Sequence, residues 1–243
     1  MRKSKHALDI SLMRSLSIMS ERVNFDQYTK NYDQLLQEQT GFFSKDDDYF
    51  ARYKVELAKA CIKNPVKRIL EYGCGIGRNI PFLKAAFPDA DVVGSDISPA
   101  SLEVAMKQQP DVQFFLEDDL APGKSEFDLI FVAGVFHHIP PSQRGDAAML
   151  LASRLTAHGE AIVFEHNPYN PVTRRIVSNC AYDADAVLLK PSELMALLSE
   201  AGLRGAAQGY CLFIPPSLNK LLWLEPKLKW LPLGGQYFVH AAK

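Results

Sequence analysis

No two of the four cysteines lie close together: Cys61, Cys74, Cys180 and Cys211 form neither a CxxC pair nor a Cys/His ligand spacing. That excludes zinc-ribbon and thioredoxin-like readings and leaves the reduced thiols expected of a cytoplasmic protein. Surplus charge of either sign is also missing. Twenty-seven Lys and Arg against 28 Asp and Glu give a net charge of −1, too balanced to track a phosphate backbone, so nucleic acid is not expected as the main partner. No apolar run approaches the ~20 residues that span a bilayer, which argues against stable membrane insertion. Repeats and low-complexity tracts are absent. The first twenty residues start basic and then turn apolar, but Asp9 and Arg14 interrupt any signal-peptide core. Residues 1–23 read as a flexible tail, with Met19 a candidate natural start.

What is present is an alternation. Apolar runs at 67–72, 91–97, 111–118, 127–135 and 159–166 have the length and β-branched content of strands. Between them lie helical patterns at 78–87, about 99–108 and about 142–156. Ser98-Pro99 supplies an N-cap and a proline at the first helical position. The run at 127–135 is apolar on both faces, as a strand between two helix layers must be. Strands alternating with helices imply right-handed βαβ crossovers and a mostly parallel, doubly wound sheet. A helix at 191–203 is followed by strand-like runs at 205–214 and 234–242, which pair as an antiparallel hairpin at a sheet edge. The Pro- and Trp-bearing stretch between them covers that edge, rims an apolar acceptor pocket or touches a membrane surface. Residues 24–64 read as a helical cap on a core of 65–243, in one domain of 24–243.

The sharpest motif is Glu71-Tyr72-Gly73-Cys74-Gly75-Ile76-Gly77-Arg78-Asn79, between the first strand and the first helix. Glycines there permit a tight turn and let a ligand touch bare backbone. The spacing is GxGxG rather than the GxGxxG that suits a dinucleotide pyrophosphate, and no P-loop lysine follows. Glu71, just before the loop, would repel a phosphate and welcome an ammonium group. Asp96, at the end of the second strand, stands where an acid accepts ribose hydroxyls, or else caps a helix. Asp118 and Asp119 end the third strand, within reach of an adenine or simply solvated. Three polar anchors at the carboxyl ends of consecutive strands point to a nucleoside.

On these residues the sequence resembles the class I S-adenosylmethionine-dependent methyltransferases. ILEYGCGIGRN is similar to their first motif, VVGSDIS to the second, QFFLEDD to the adenine segment and FDLIFVAGVFHHI to the fourth-strand segment. The resemblance implies an α/β, doubly wound seven-stranded sheet of order 3-2-1-4-5-7-6, with strand 7 antiparallel and helices on both faces. It implies S-adenosyl-L-methionine as cofactor and S-adenosyl-L-homocysteine as product. Glu71, Gly73 and Gly75 would then lie near the methionine moiety, Asp96 at the ribose and Asp118 or Asp119 at the adenine. Arg78, Ile97 and Ala133 would be further cofactor contacts. Tyr28 and Tyr32 resemble aromatic residues that close over the cofactor in small-molecule members, although their i, i+4 spacing also suits helix packing. The implied acceptor is a small molecule (a sugar, lipid-linked compound or secondary metabolite) methylated on O or N. The alternatives are a nucleotide-dependent oxidoreductase, or a binding or regulatory protein that keeps the fold without turnover.

Methyl transfer is an in-line displacement in which alignment does most of the work and a base removes a proton from the acceptor. His137 and His138, beyond the fourth strand, are the candidate catalytic residues, with Glu165 and His166 behind them. Neighbouring residues at a strand end point apart, so at most one histidine is expected to reach the acceptor, and the other stacks or caps. The same spacing argues against a metal site.

Overall fold

A computed structural model describes residues 23–29, 37–38, 40–46, 48–120 and 125–243. The tail 1–22 and Tyr32 lie outside the described residues, as does most of the segment that was expected to be helical after Tyr28.

Seven strands form one sheet of order β3-β2-β1-β4-β5-β7-β6: β1 Arg68–Tyr72, β2 Asp91–Asp96, β3 Gln113–Leu116, β4 Phe127–Ala133, β5 Leu155–His166, β6 Arg204–Cys211 and β7 Gln236–Ala242. The first five pair in parallel, while β7 runs antiparallel between β5 and β6. The helices are α1 Tyr49–Cys61, α2 Ile80–Ala86, α3 Pro99–Gln108, α4 Arg144–Arg154, α5 Pro171–Asn179 and α6 Pro191–Glu200.

Alternation along the central strands divides the core between the two faces. Ile69, Leu129, Phe131, Ile162 and Phe164 face the layer that holds Val55 of α1, Leu83 of α2 and Leu102 of α3. Leu70, Ile130, Val132 and Val163 face the opposite layer, which holds Leu151 of α4 and Leu194 and Leu198 of α6. Each such side chain contributes roughly 1.5–3 kcal/mol on burial. The continuous apolar run of β4 is therefore what a two-sided sheet requires.

Local signals account for the helix starts. Ser98 Oγ accepts the Ser101 N–H at 3.0 Å, with Pro99 opening α3. Asn170 does the same for α5, accepting from Val172 and Thr173 N–H at 2.8 and 3.1 Å ahead of Pro171. That second cap lies in a proline-bearing stretch with no helical period, and α5 was not expected.

Several boundaries differ from expectation. The third strand ends at Leu116, because Glu117–Asp119 form a 3₁₀ turn closed by Leu120 N–H on Glu117 O. Asp118 and Asp119 therefore sit in a turn rather than at a strand end. The fifth strand starts four residues early, at Leu155, because a bulge lets it pair with Phe127 before the regular ladder begins at Leu129. The stretch between β6 and β7 is largely 3₁₀, Pro216–Lys227. Glu225 folds it back by accepting from Phe213 N–H at 2.9 Å, Ile214 N–H at 3.1 Å and the Tyr53 hydroxyl at 2.9 Å. Trp223 and Trp230 nevertheless stay exposed. Among the described residues no helix is long and apolar enough to cross a membrane.

Candidate active site

The carboxyl ends of β1, β4 and β5, with α1 and α5, enclose a cavity of about 460 Å³. Its floor is the glycine loop. Gly73 and Gly75 both have positive φ, +69° and +53°, a conformation that β-carbons disfavour. The two glycines differ in what surrounds them. A Cβ on Gly73 would meet Val135 Cγ2 at 2.3 Å, whereas one on Gly75 would meet nothing within 4 Å. Gly73 thus lets the loop pack against the end of β4, and Gly75 leaves bare backbone open to a ligand.

Glu71 is buried behind this loop, with one oxygen accepting from Asn79 Nδ2 at 2.5 Å and the other buried without a hydrogen-bond partner. Burial pushes its carboxyl up to about 8, against smaller lowering by Asn79 and by Lys54. Lys54 of α1 and Asn79 both line the cavity. An orphaned carboxyl oxygen at the end of the strand that leads into an open glycine loop suits a ligand that carries an ammonium group, which is the fit an adenosyl amino acid requires.

Of the residues expected to touch the cofactor, Gly73, Gly75, Arg78 and Ala133 line the cavity. Glu71, Tyr28, Asp96, Ile97, Asp118 and Asp119 do not line it. Asp96 accepts from Gly75 N–H at 2.7 Å and Ser98 N–H at 2.9 Å, so it ties the glycine loop to the start of α3. Beside it the chain at 24–29 crosses α3: Asp26 accepts from Ser98 Oγ at 2.6 Å, and Thr29 Oγ1 lies 3.2 Å from Ser101 Oγ. Ile97, Asp118 and Asp119 are exposed. Tyr28 packs edge-on against Tyr182, 5.9 Å between ring centroids, and Tyr182 lines the cavity.

Polar groups line the cavity as well. Beyond β4, the 3₁₀ turn Phe136–His138 holds both histidines, and a network assembles around them. Glu165 of β5, fully buried, accepts from Val135 N–H at 3.0 Å and Phe136 N–H at 2.7 Å through one oxygen; its other oxygen lies 2.6 Å from His137 Nδ1. His138 Nδ1 lies 2.9 Å from Asp185 Oδ1. Both Nε2 atoms turn toward Asp183 Oδ1, at 3.6 Å from His137 and 3.4 Å from His138. The segment with these acids is pinned to the turn by Val187 N–H on His137 O at 2.8 Å. Buried Arg144 adds to the pin, donating to Phe136 O at 3.1 Å, Ile139 O at 3.0 Å, Glu193 at 2.9 Å and Val187 O.

The expectation that the adjacent histidines point apart is therefore corrected. In a 3₁₀ turn they do not alternate as in a strand, and their ring centroids stand 4.1 Å apart. Glu165 supports the turn from behind, while His166 lines the cavity, 4.8 Å from the His137 ring. Glu165 and Asp183 hold the His137 imidazole up to about 9 despite its burial; burial and the neighbouring His137 push His166 down to about 4. Asp183, Asp185, Lys54 and α5 were missed in the sequence. The two acids lie in YDADA, which has no motif spacing, and only the fold brings them to the histidines.

Residues 69–159 match the family model described as a methyltransferase domain. A stretch of 100 residues is 32% identical to a trans-aconitate 2-methyltransferase of Methylobacterium radiotolerans, covering 40% of this chain and 38% of that protein. An Escherichia coli (strain SE11) trans-aconitate 2-methyltransferase is 34% identical over 86 residues, 35% of this chain and 33% of that one. The chain thus spans well under half the length of these relatives. Among solved structures, a SAM-dependent methyltransferase of Archaeoglobus fulgidus superposes with TM-score 0.65 at 14% identity, over 87% of this chain and 99% of that one. A Haemonchus contortus phosphoethanolamine N-methyltransferase 2, in complex with phosphomonomethylethanolamine and S-adenosylhomocysteine, superposes with TM-score 0.63 at 16% identity, over 91% and 60%. The sheet order and the matched segment define a Rossmann-like methyltransferase fold. Within that fold, residues 69–159 are similar to a methyltransferase domain.

Proposed function

We propose that this protein transfers a methyl group from S-adenosylmethionine to an oxygen or nitrogen of a small, partly apolar acceptor. The observation that carries this reading is one cavity lined both by the glycine loop, with open space at Gly75, and by the His137–His138–Asp183 cluster. The cofactor supplies an electrophilic methyl on a sulfonium. Gly73, Gly75 and Arg78 hold its amino-acid end, and Glu71 receives the ammonium charge. Asp96 keeps lone pairs for the ribose beyond its two backbone bonds, Ile97 and Ala133 flank it, Asp118 or Asp119 takes the adenine, and Tyr28 closes that end.

The acceptor occupies the remaining space, between the histidine turn and an apolar wall of Phe43, Phe50, Leu212 and Ile176. Holding it in line with the sulfonium is the chain's largest contribution, for which intramolecular models allow roughly 7–11 kcal/mol. We assign activation of its O–H or N–H to the histidine cluster, the polar part of that wall. The trans-aconitate 2-methyltransferases match only 40% and 35% of this chain, so their substrate is not carried over. A sugar, lipid-linked compound or secondary metabolite fits the mixed wall, with the enzyme acting in the cytoplasm and α1 forming part of a cap. Incubation with labelled S-adenosylmethionine and pooled small-molecule acceptors tests the reading. Labelled product with formation of S-adenosylhomocysteine supports it; cofactor binding without turnover on any pool opposes it.

A further inference from the structure

The cluster at the end of β4 has a geometry that proton transfer alone does not require. His137, His138 and Asp183 each offer a donor atom, and these atoms all lie within 4.8 Å of one another. The two nitrogen-to-oxygen separations, 3.6 and 3.4 Å, are too long for good hydrogen bonds. They match the edge of a tetrahedron whose centre lies ~2.1 Å from each corner, which is the ligand distance of a zinc-type cation, giving an edge of about 3.4 Å. His138 Nε2 is buried and has no hydrogen-bond partner, so the atom that would take a ligand bond is available for one.

The far sides of both rings are arranged accordingly. Each Nδ1 faces a carboxylate, Glu165 for His137 at 2.6 Å and Asp185 for His138 at 2.9 Å. A carboxylate on the outer nitrogen fixes the tautomer that leaves Nε2 as a lone-pair donor and raises the ring's basicity, the arrangement found behind metal-bound histidines. Three carboxylates thus converge on two imidazoles in a largely buried corner, and a dication offsets that negative charge. His137, His138 and Asp183 all line the cavity, which provides an entry path.

We propose that His137, His138 and Asp183 bind one divalent cation of the zinc type, leaving an open coordination position toward the acceptor. The inference rests on the methyltransferase reading for its purpose. An acceptor hydroxyl on that position loses its proton to water, because the cation stabilises the alkoxide. The oxygen lone pair then forms the new C–O bond as the methyl–sulfur bond breaks and its electron pair stays on sulfur. Under this arrangement the two histidines are ligands, and the cation takes over the work of a base.

The test is equilibrium dialysis of the chelator-treated full chain against Zn²⁺, with metal counted by mass spectrometry, and a parallel Co²⁺ titration followed by visible absorption. The expected result is one Zn²⁺ per chain and the intense visible bands of tetrahedral Co²⁺. Binding should be lost in His138→Ala and Asp183→Asn, and should weaken about 10–100-fold in Asp185→Asn, whose partner lies in the outer shell. Thermal unfolding of the same variants, with the wild-type cooperative transition kept, shows that they fold. Absence of stoichiometric metal overturns the inference, as does metal that survives both ligand substitutions. If the wild-type chain holds zinc but no cofactor, the proposed function fails while this site stands; cofactor binding without zinc gives the converse.

Discussion

His137 Nδ1 lies 2.6 Å from Glu165 Oε2, with the imidazole 2% exposed and the carboxylate sealed from solvent. The other oxygen of the same carboxylate holds two backbone N–H groups of the turn that carries the histidine. One side chain of β5 therefore sets both the shape of the turn and the orientation of the ring. Glu165→Ala leaves two N–H groups and an imidazole without an acceptor, and should destabilise the fold by about 3–5 kcal/mol. Glu165→Gln keeps a carbonyl for the backbone and should recover part of that loss. Urea unfolding of the three proteins measures it; equal stability of all three contradicts the role.

The two glycines separate packing from binding. Gly73→Ala forces a Cβ into Val135 at 2.3 Å and should destabilise by about 1–3 kcal/mol. Gly75→Ala meets no atom and carries only the positive-φ penalty, about 1–2 kcal/mol, while intruding on the space left for the ligand. Thermal unfolding and cofactor calorimetry together should show Gly73→Ala the less stable and Gly75→Ala, although folded, the weaker binder.

Glu71 gives a pH signature. Its carboxyl ordinarily titrates near 4.5, and burial raises it to about 8 in the ligand-free fold. Across that window the folded chain holds a proton that the unfolded chain has released, so its contribution to stability falls as pH rises from about 4.5 to 8. Glu71→Gln should flatten that slope in unfolding measured across the window. An ammonium group nearby favours the ionised form, so cofactor binding at pH 7 should release a proton from the wild-type chain and none from Glu71→Gln. Binding heats in buffers of different ionisation enthalpy count that proton; equal counts contradict the assignment.

Arg144 joins the histidine turn to the acid-bearing segment through carbonyls of Phe136, Ile139 and Val187. Arg144→Lys keeps the charge but not the fork, and strands buried carbonyls at about 1–3 kcal/mol each. The loss should appear as faster hydrogen exchange at the Val187 N–H, while the Gly75 loop stays protected.

The sheet order and the turn of the glycine loop were legible because local rules govern them. Strand periodicity, Ser98-Pro99 and the GxGxG loop each act within a few residues. The acceptor half was not legible. Asp183 reaches His138 only because β5 and α5 carry the chain across the cleft, and the pair's i, i+1 spacing suggested divergence that a 3₁₀ turn removes. Asp96 was identified as a ligand acid, yet its nearest bonds tie the glycine loop to α3. Spacing alone does not distinguish an acid that binds from one that braces.

The most direct test is calorimetry of S-adenosylmethionine with the wild-type chain, Gly75→Val and Asp96→Ala. The account predicts one cofactor per wild-type chain and an affinity at least about tenfold weaker in each variant, a loss of roughly 1.4 kcal/mol or more. No binding to the wild-type protein, or affinity unmoved by both substitutions, contradicts it.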